Sequence, residues 1–147
     1  MEQSFEKFQR DFYSIWSRVN LLYSRWAEQI GVSYGVLVVL YGLDVHGSMT
    51  QKNICDFYGL PKQTVNGAVR GLAADGYVVL EKSREDRREK LVVLTDKGRA
   101  YAREKLKPIY EGERYAYSMI GGRKVFQMLD VMDAFHTLMK KRMEEES

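Results

Sequence analysis

Cysteine and histidine are almost absent from the chain, and their scarcity excludes several kinds of site. Cys55 is the only cysteine among 147 residues, so no disulfide can form within the chain, and we expect a reducing cytoplasm as its location. The two histidines, His46 and His136, are far apart in sequence and lack a neighbouring cluster of Cys, Asp or Glu at ligand spacing. We therefore predict no metal site.

Long apolar runs and catalytic constellations are missing as well. No segment offers about 18 uninterrupted apolar residues, so we expect no transmembrane helix and no membrane partner. The first residues, MEQSFEKFQRDF, lack the basic start and apolar core of a secretory signal. A Ser/His/Asp set and a glycine-rich phosphate loop after a strand are also lacking. We predict no enzyme, no catalytic residue and no cofactor.

The charge balance permits nucleic acid as a partner without requiring it. The net charge is +3 and the sequence pI is about 8.9, which is too weak an excess to argue for DNA alone. With 29% charged residues and only two prolines, the composition favours helices over disorder. The length fits one domain, so we predict a single unit over residues 1–147.

Residues 49–82, MTQKNICDFYGLPKQTVNGAVRGLAADGYVVLEK, predict two short helices followed by a strand. Thr50 is the expected cap of the first helix, Gly59 its end, and Pro61 suits the first turn of the second. The first helix is expected to bury Ile54, Cys55 and Tyr58. The apolar face of the second is expected at Val65, Ala68, Val69 and Leu72. Two short helices joined by a glycine-containing turn are typical of a helix-turn-helix.

Residues 83–98, SREDRREKLVVLTDKG, place a burst of charge between two strand-like runs. The runs YVVLEK and KLVVL predict an antiparallel ribbon, which makes the whole motif a winged helix. The loop between them carries arginines and acids in equal number: Arg84, Arg87, Arg88, Glu85, Asp86 and Glu89. From the loop alone, a solvated hairpin tip with mutual ion pairs competes evenly with a wing that reaches a polyanion. The helix-turn-helix immediately upstream favours contact with DNA.

Residues 1–31 and 96–147, on either side of the winged helix, predict long amphipathic helices, and residues 32–43 predict a buried one. The first helix carries an apolar stripe formed by Phe5, Phe8, Phe12, Ile15, Trp16, Val19, Leu22, Tyr23, Trp26 and Ile30. The last helix carries another, formed by Val125, Met128, Leu129, Met132, Phe135, Met139 and Met143. Such stripes fit a subunit interface, which is the default interpretation, or a ligand cleft. The predicted fold class is mainly α with a small β-ribbon: a winged helix-turn-helix over residues 32–95, framed by helical dimerisation regions.

The stretch DRREKLVVLTDKG resembles the wing signature of the MarR (multiple antibiotic resistance regulator) family, in which Asp, a basic residue and Arg precede apolar residues and Leu-Thr-x-x-Gly. Thr50-Gln51, the helix-turn-helix and Asp75-Gly76-Tyr77 are similar in order and spacing, and the resemblance spans nearly the whole chain. It implies a homodimer that binds a pseudo-palindromic operator in double-stranded DNA and usually represses transcription. By position, Asp86 is implied to hold Arg88, which enters the minor groove. The helix that begins near Pro61 is implied to lie in the major groove.

The candidate DNA contacts fall into three groups. On the polar side of the second helix they are Lys62, Gln63, Thr64, Asn66 and Arg70. Gln63 and Asn66 suit bidentate pairing with adenine, although a solvated side of an amphipathic helix is the plain alternative. The wing candidates are Arg84, Asp86, Arg87 and Arg88. Candidates for the DNA backbone, through amide groups at a helix start, are Thr50, Gln51 and Lys52. This chain differs from common members in Pro61-Lys62-Gln63, where small hydroxyl residues are frequent, and in Lys82, where Arg often stands.

A small aromatic or lipophilic effector is a further candidate partner. The pocket implied by position is bounded by Tyr13, Trp16, Tyr23, Tyr34 and Tyr117. We interpret Cys55 as a small core hydrophobe, with redox sensing as the alternative. Two rival functions remain. One is a protein-interaction adaptor that has lost DNA binding, favoured by the near-neutral wing, and the other is an enzyme that uses Cys55 as its nucleophile.

Overall fold

The computed structural model describes residues 2–83 and 88–146. The described residues fall into two compact units that divide between Lys107 and Pro108. The first unit contains α1 (Glu2–Gln29), α2 (Tyr34–His46), β1 (Ser48–Thr50), α3 (Gln51–Tyr58), α4 (Lys62–Ala74), β2 (Val78–Lys82), β3 (Lys90–Leu94) and the start of α5 (Asp96–Ile120). The second unit contains the rest of α5 and α6 (Gly122–Glu145). The predicted class, mainly α with a small β-ribbon, is confirmed.

Helix α2 is the centre of the first unit. Its N-cap is Ser33, whose hydroxyl accepts a hydrogen bond from the Val36 amide at 3.2 Å. It is buried along most of its length, as the sequence predicted, but it runs three residues further, to His46. The reason is that the residue able to stop it is Gly47, whose φ of 81° lies in the left-handed region.

The helix-turn-helix is confirmed, with corrections to its first helix. The Thr50 hydroxyl accepts from the Asn53 amide at 3.0 Å, and Gly59 ends α3 with a φ of 63°. The predicted apolar face of α4 is buried at all four positions. On α3, however, only Ile54 is fully buried, whereas Cys55 and Tyr58 are half-buried. Cys55 and Tyr58 are rotated by about 100° and about 40° around the helix from Ile54, so they lie toward the edge of its buried face.

The predicted ribbon forms, and it belongs to a three-stranded antiparallel sheet of order β1-β3-β2. Strands β2 and β3 pair from Val78↔Leu94 at the base to Lys82↔Lys90 at the loop. Strand β1, which pairs Met49 with Val92, was not predicted. Its three residues are too few to show the alternation of a strand.

One apolar core fixes α4 and the ribbon together. Its largest fully buried side chains in the first unit come from α2, α3, α4, α5 and the sheet: Leu37, Val39, Leu40, Leu43, Ile54, Val65, Val69, Val78, Val92 and Leu106. Helix α2 contacts both α4 and β3, and α4 contacts β2. A close-packed core of this kind holds the polar face of α4 and the ribbon in a fixed relation.

The two flanking helices keep large apolar faces exposed within the single chain. On α1, an aromatic ladder runs from Phe5 through Phe8 and Phe12 to Trp16, with ring centroids 6.1, 5.2 and 6.4 Å apart. In the second unit, α6 follows α5 after Gly121 alone, and it has no fully buried residue within its described length. No single described helix has the length and apolarity to cross a membrane. Phe5–Gln29 and Tyr34–His46, bent by 96°, pass that test only as a pair.

Candidate nucleic-acid interface

Helix α4 divides sharply into a buried side and an exposed side. It begins after Pro61, which holds an extended backbone as the N-cap rather than lying in the first turn, and it is closed by Gly76 with a φ of 74°. Val65 and Val69 lie in the core. The residues predicted to meet DNA are all exposed: Lys62, Gln63, Thr64, Asn66 and Arg70.

The polar side chains on the exposed face of α4 are not engaged elsewhere. Within the described parts of the chain, Lys62, Gln63, Asn66 and Arg70 make no hydrogen bond, ion pair or ring contact. An ammonium, a guanidinium and two amides are therefore turned to solvent along one face. These groups match the hydrogen-bonding edges of guanine and adenine, and phosphate oxygens.

Thr64 has a second role that the sequence did not indicate. A Cβ placed on Gly35 of α2 would lie 2.7 Å from the Thr64 methyl carbon, and 3.6 Å from the Thr64 carbonyl oxygen. The two helices approach so closely here because residue 35 has no side chain. The Thr64 methyl group therefore packs against α2.

The start of α3 presents the candidates for the DNA backbone. Thr50 itself is buried, and its hydroxyl is already occupied as the cap of α3. Gln51 is half-buried and Lys52 is exposed. The first amide groups of a helix lack internal acceptors and attract anions. Gln51 and Lys52 are thus the accessible members of this predicted set.

The wing is described up to its loop. The Ser83 amide donates to the Glu89 carbonyl oxygen at 3.0 Å, which closes the ribbon. Arg88 is exposed at the loop. Arg84, Asp86 and Arg87 lie outside the described residues, so their predicted contacts stay predictions, including that of Asp86 with Arg88.

The second half of the wing signature connects the ribbon to the start of α5 through hydrogen bonds. It consists of Leu94-Thr95-Asp96-Lys97-Gly98. The Thr95 hydroxyl donates to the Gly76 carbonyl oxygen at 2.7 Å and accepts from the Gly98 amide at 2.9 Å. The Thr95 amide also donates to the Tyr77 carbonyl oxygen at 3.0 Å. A Cβ on Gly98 would overlap that same carbonyl oxygen. This half of the motif is therefore structural, since it joins the end of α4, the base of β2 and the start of α5.

Further contacts of lysine and tyrosine side chains connect α5 to the rest of the first unit. The rings of Tyr77 and Tyr101 stack with centroids 4.0 Å apart, and Lys97 lies over the Tyr77 ring at 4.8 Å while donating to the Asp75 carbonyl oxygen at 2.7 Å. Lys105 donates to the Ile30 carbonyl oxygen at 3.0 Å, beyond the end of α1. Burial, and then the neighbouring Tyr77, raise the pKa of the Tyr101 hydroxyl. These contacts thus join α5 to the C-terminal ends of both α4 and α1.

The predicted effector residues are dispersed along the chain. Tyr13, Trp16 and Tyr23 lie on α1, Tyr34 begins α2, and Tyr117 belongs to the second unit, where its ring meets that of Phe126 edge-on at 6.5 Å. A groove of about 510 Å³ lies elsewhere on α1, lined by Ile15, Arg18, Val19, Leu21, Leu22 and Arg25. One helix alone cannot enclose a small molecule. The predicted pocket stays a prediction.

No group of three or more His, Cys, Asp or Glu side chains within the described residues could hold a metal ion. Cys55 is a free, half-buried thiol. Neither observation points to a reaction centre.

The winged-helix region matches a family model, and one solved structure matches over nearly the full length. Residues 30–89 match the model of the MarR family. The chain is similar to NMB1585, a MarR family regulator from Neisseria meningitidis, with 31% identity and a TM-score of 0.78 over 91% of this chain and 96% of that one.

Two further likenesses are narrower or more distant. An uncharacterized HTH-type transcriptional regulator of Bacillus subtilis, YwoH, is 40% identical over 68 residues, which are 46% of this chain and 49% of that protein. The chain thus spans about half the length of this curated relative. Staphylococcus aureus MarR, solved in complex with salicylate and kanamycin, shares the fold at 21% identity and a TM-score of 0.69, with 95% of each chain covered.

Proposed function

The chain belongs to the MarR family of transcriptional regulators, and from that premise we propose that it is a cytoplasmic regulator that binds double-stranded DNA sequence-specifically. The observation that carries the proposal is the unengaged polar face of α4 opposite a fully buried apolar face. An α-helix fits the major groove of B-DNA, where each base pair presents its own pattern of donors and acceptors. The exposed side chains of α4 are then the base-reading groups.

Roles on α4 follow from side-chain chemistry. Gln63 and Asn66 each carry an amide that pairs bidentately with adenine, while Lys62 and Arg70 reach guanine or phosphate. Thr64, whose methyl group packs against α2, fixes the depth of the helix beside these groups. Exposed Lys52 and the first amides of α3 are placed to meet the DNA backbone.

Asn66→Ala tests the base-reading role. We expect this variant to lose affinity for the preferred duplex by about 1–3 kcal/mol and to keep its affinity for a scrambled duplex, because one base contact is removed and the phosphate contacts stay. Titration of both duplexes with wild type and variant measures the difference. Equal losses on the two duplexes would contradict the assignment. Asn20→Ala, at an exposed position of α1, is the matched control.

Arg88 is the proposed minor-groove contact of the wing. A guanidinium keeps its charge at all relevant pH values and suits the enhanced negative potential of a narrow minor groove. Arg88→Ala should weaken operator binding without lowering the thermal unfolding temperature. Unchanged affinity in the purified variant would remove Arg88 from the interface.

We propose a homodimer as the binding species. Apolar residues exposed on α1 include Ile15 and Leu22, at 51% and 55% exposure, and α6 exposes Met139 at 58%. Apolar side chains left exposed along a long helix are characteristic of interfaces between subunits. Two-fold symmetry would offer two α4 helices to successive major grooves, about 34 Å apart on a pseudo-palindromic operator. Sedimentation of the pure chain, free and with duplex, tests both parts.

We propose repression as the regulatory outcome, relieved by a small aromatic or lipophilic effector. The support is the aromatic character of α1, including Tyr13 and Trp16, and the distant structure of a MarR protein that holds salicylate. An effector would act by favouring a spacing of the two subunits that does not fit one operator. Selection of duplexes from a random pool, with and without metabolite extracts, tests this. Identical recovery under both conditions would contradict an effector.

A protein-interaction adaptor is the second candidate, favoured by Phe57 and Val45, which are 67% and 54% exposed on the winged helix itself. Salt separates the two functions. DNA binding weakens steeply as salt rises because phosphate contacts release counterions, whereas an apolar protein interface responds little. A chain free of small molecules that binds no duplex even in dilute buffer would decide for the adaptor.

A further inference from the structure

Two lysines face each other at the neck of the wing. Lys82 ends β2, Lys90 begins β3, and the two are register partners. The next pair outward, Ser83 and Glu89, is hydrogen-bonded at 3.0 Å. Hydrogen-bonded and non-hydrogen-bonded pairs alternate along an antiparallel ribbon, so Lys82 and Lys90 form a non-hydrogen-bonded pair. In such pairs the facing side chains come closest, and like charges placed there are destabilising.

Nothing in the described residues neutralises this pair. Lys82 and Lys90 are both exposed, and neither makes an ion pair or hydrogen bond within those residues. Glu81 stands opposite Leu91, one position along, so it leaves the ribbon from the other face. The neck therefore holds two positive charges side by side, and no described residue places a counter-charge on their face. An anion between them would turn repulsion into attraction.

The face from which the lysines emerge is the one that carries the helices. Lys82 shares its face with Val78 and Leu80, and Lys90 shares that face with Val92. Val78 is 2% exposed and packs in the core, whereas Leu80 is already 46% exposed. Lys82 lies roughly 13 Å beyond Val78 along the strand. Since α4 contacts β2, the pair extends past the core on the side of the ribbon where α4 lies.

We propose that Lys82 and Lys90 together clasp a single phosphate of the DNA backbone and so anchor the neck of the wing. The inference rests on the proposed DNA binding and adds a contact to it. One ammonium group donates to each of the two non-bridging oxygens of the phosphodiester, which carries the negative charge that the neck lacks. A phosphate contact carries no sequence information, so the lysines are positioning residues that set where the wing loop begins.

The test uses Lys82→Gln, Lys90→Gln and the double variant in the full-length protein. Affinity for a selected duplex and for a scrambled duplex is measured across a series of KCl concentrations. We expect each single variant to weaken both duplexes alike, by roughly fivefold at low salt. In the double variant, the magnitude of the slope of log affinity against log salt should fall by about 0.9 for each wing that contacts DNA, since one phosphate contact per wing is lost. Lys140→Gln, an exposed lysine of α6, is the control and should change neither quantity.

Two further readouts separate a clasp from a merely structural role. The unfolding temperature of the free protein should rise in each single variant, because the repulsion between the two lysines is removed. The same variants should bind DNA more weakly. The two substitutions should also be strongly non-additive toward DNA, since both lysines share one phosphate. Inorganic phosphate, compared with KCl at equal ionic strength, should raise the unfolding temperature of wild type more than that of the double variant, because only wild type carries the two facing ammonium groups. An equal rise in both proteins would count against a phosphate site between the lysines.

The outcomes distinguish failure of the clasp from failure of DNA binding. A wild-type chain that binds neither duplex refutes the proposed function itself. A wild-type chain that binds, with an unchanged slope in the double variant, refutes the clasp and leaves the function standing. Additive losses with a slope change of about 1.8 per wing would show two separate phosphates, which also overturns the shared site.

Discussion

Helices α1 and α2 are both rich in large apolar residues, but they dispose of them in different ways. Helix α2 buries Leu37, Leu40 and Leu43 within its own chain. Helix α1 is more than twice as long, yet Ala27 is the fully buried residue on its described part, and Ile15 and Leu22 stay exposed. Burial of its apolar side chains stabilises α2 within the single chain. Most of the apolar surface of α1 contributes no such stabilisation until another surface covers it.

The comparison separates two kinds of hydrophobic residue that a composition cannot distinguish. One kind determines whether the winged helix folds. The other stays exposed on the folded single chain and is available to a second surface. The effect of a substitution in α1 should therefore depend on protein concentration, whereas the effect of a similar substitution in α2 should not.

Leu22→Asp should produce the largest effect, and on association rather than folding. Burying a leucine is worth about 1.5–3 kcal/mol, and a dimer carries the change twice, so we expect the dimer to weaken by about 3–6 kcal/mol. Sedimentation velocity over a range of concentrations measures this, with circular dichroism to confirm retained helix. Ser17→Asp, on another exposed face of α1, is the matched control. A Leu22→Asp chain that sediments as wild type would exclude α1 from the interface.

Leu40→Ala should destabilise the fold itself by about 2–5 kcal/mol, because it leaves a cavity in a close-packed core. Urea unfolding monitored by circular dichroism gives the free energy of unfolding. The loss should be the same at every protein concentration in the monomeric range, and that independence sharpens the contrast with α1. A loss below about 1 kcal/mol would mean that α2 is less central than its burial indicates.

Gly98→Ala should lower the free energy of unfolding by about 1–3 kcal/mol. We expect a value at the upper end of this range because the overlapping atom belongs to the backbone. The new methyl group would overlap the Tyr77 carbonyl oxygen, which cannot rotate away as a side chain can. Gly31→Ala is unsuitable as a control because of its positive φ, whereas Gly71→Ala meets nothing within 4 Å. Thermal unfolding of the Gly98 and Gly71 variants should therefore move in opposite directions.

Gly67→Ala should give the smallest change, a gain of about 1 kcal/mol. Gly67 lies inside α4 with open space where a Cβ would stand, and alanine has the higher helix propensity. The measurement is again chemical unfolding. A loss of stability would show that the outer face of α4 is covered in the free protein, contrary to its exposure.

Elements with strong local signals were predictable from the sequence. Thr50, Gly59 and the apolar spacing on α4 each carry a local physical preference, and the structure follows them. Strand β1 was missed because pairing with β3, not its own three residues, makes it a strand. The end of α2 was placed too early, since the apolar pattern stops at Leu43 while the backbone continues to the glycine that can end it.

The candidate interface was predictable as a set of residues but not as an arrangement. The polar residues of α4 follow from helical spacing alone. The facing of Lys82 and Lys90 depends on strand register, which the loop sequence does not specify. The reason for Gly98 is likewise a contact with Tyr77, 21 positions earlier in the chain. The resemblance to a wing signature located these residues without showing that half of them hold the ribbon in place.

The close approach of α2 and α4 at Gly35 constrains which positions of α4 can be varied. The Thr64 methyl group packs against α2 where residue 35 has no side chain, so a larger residue at either position would push the two helices apart. The outward side chains of α4 stand clear of the interior, so Gln63 or Asn66 can be exchanged without disturbing the fold. A combinatorial library at those two positions, with residues 35 and 64 left as they are, should therefore change any DNA sequence preference of α4 while the fold is kept.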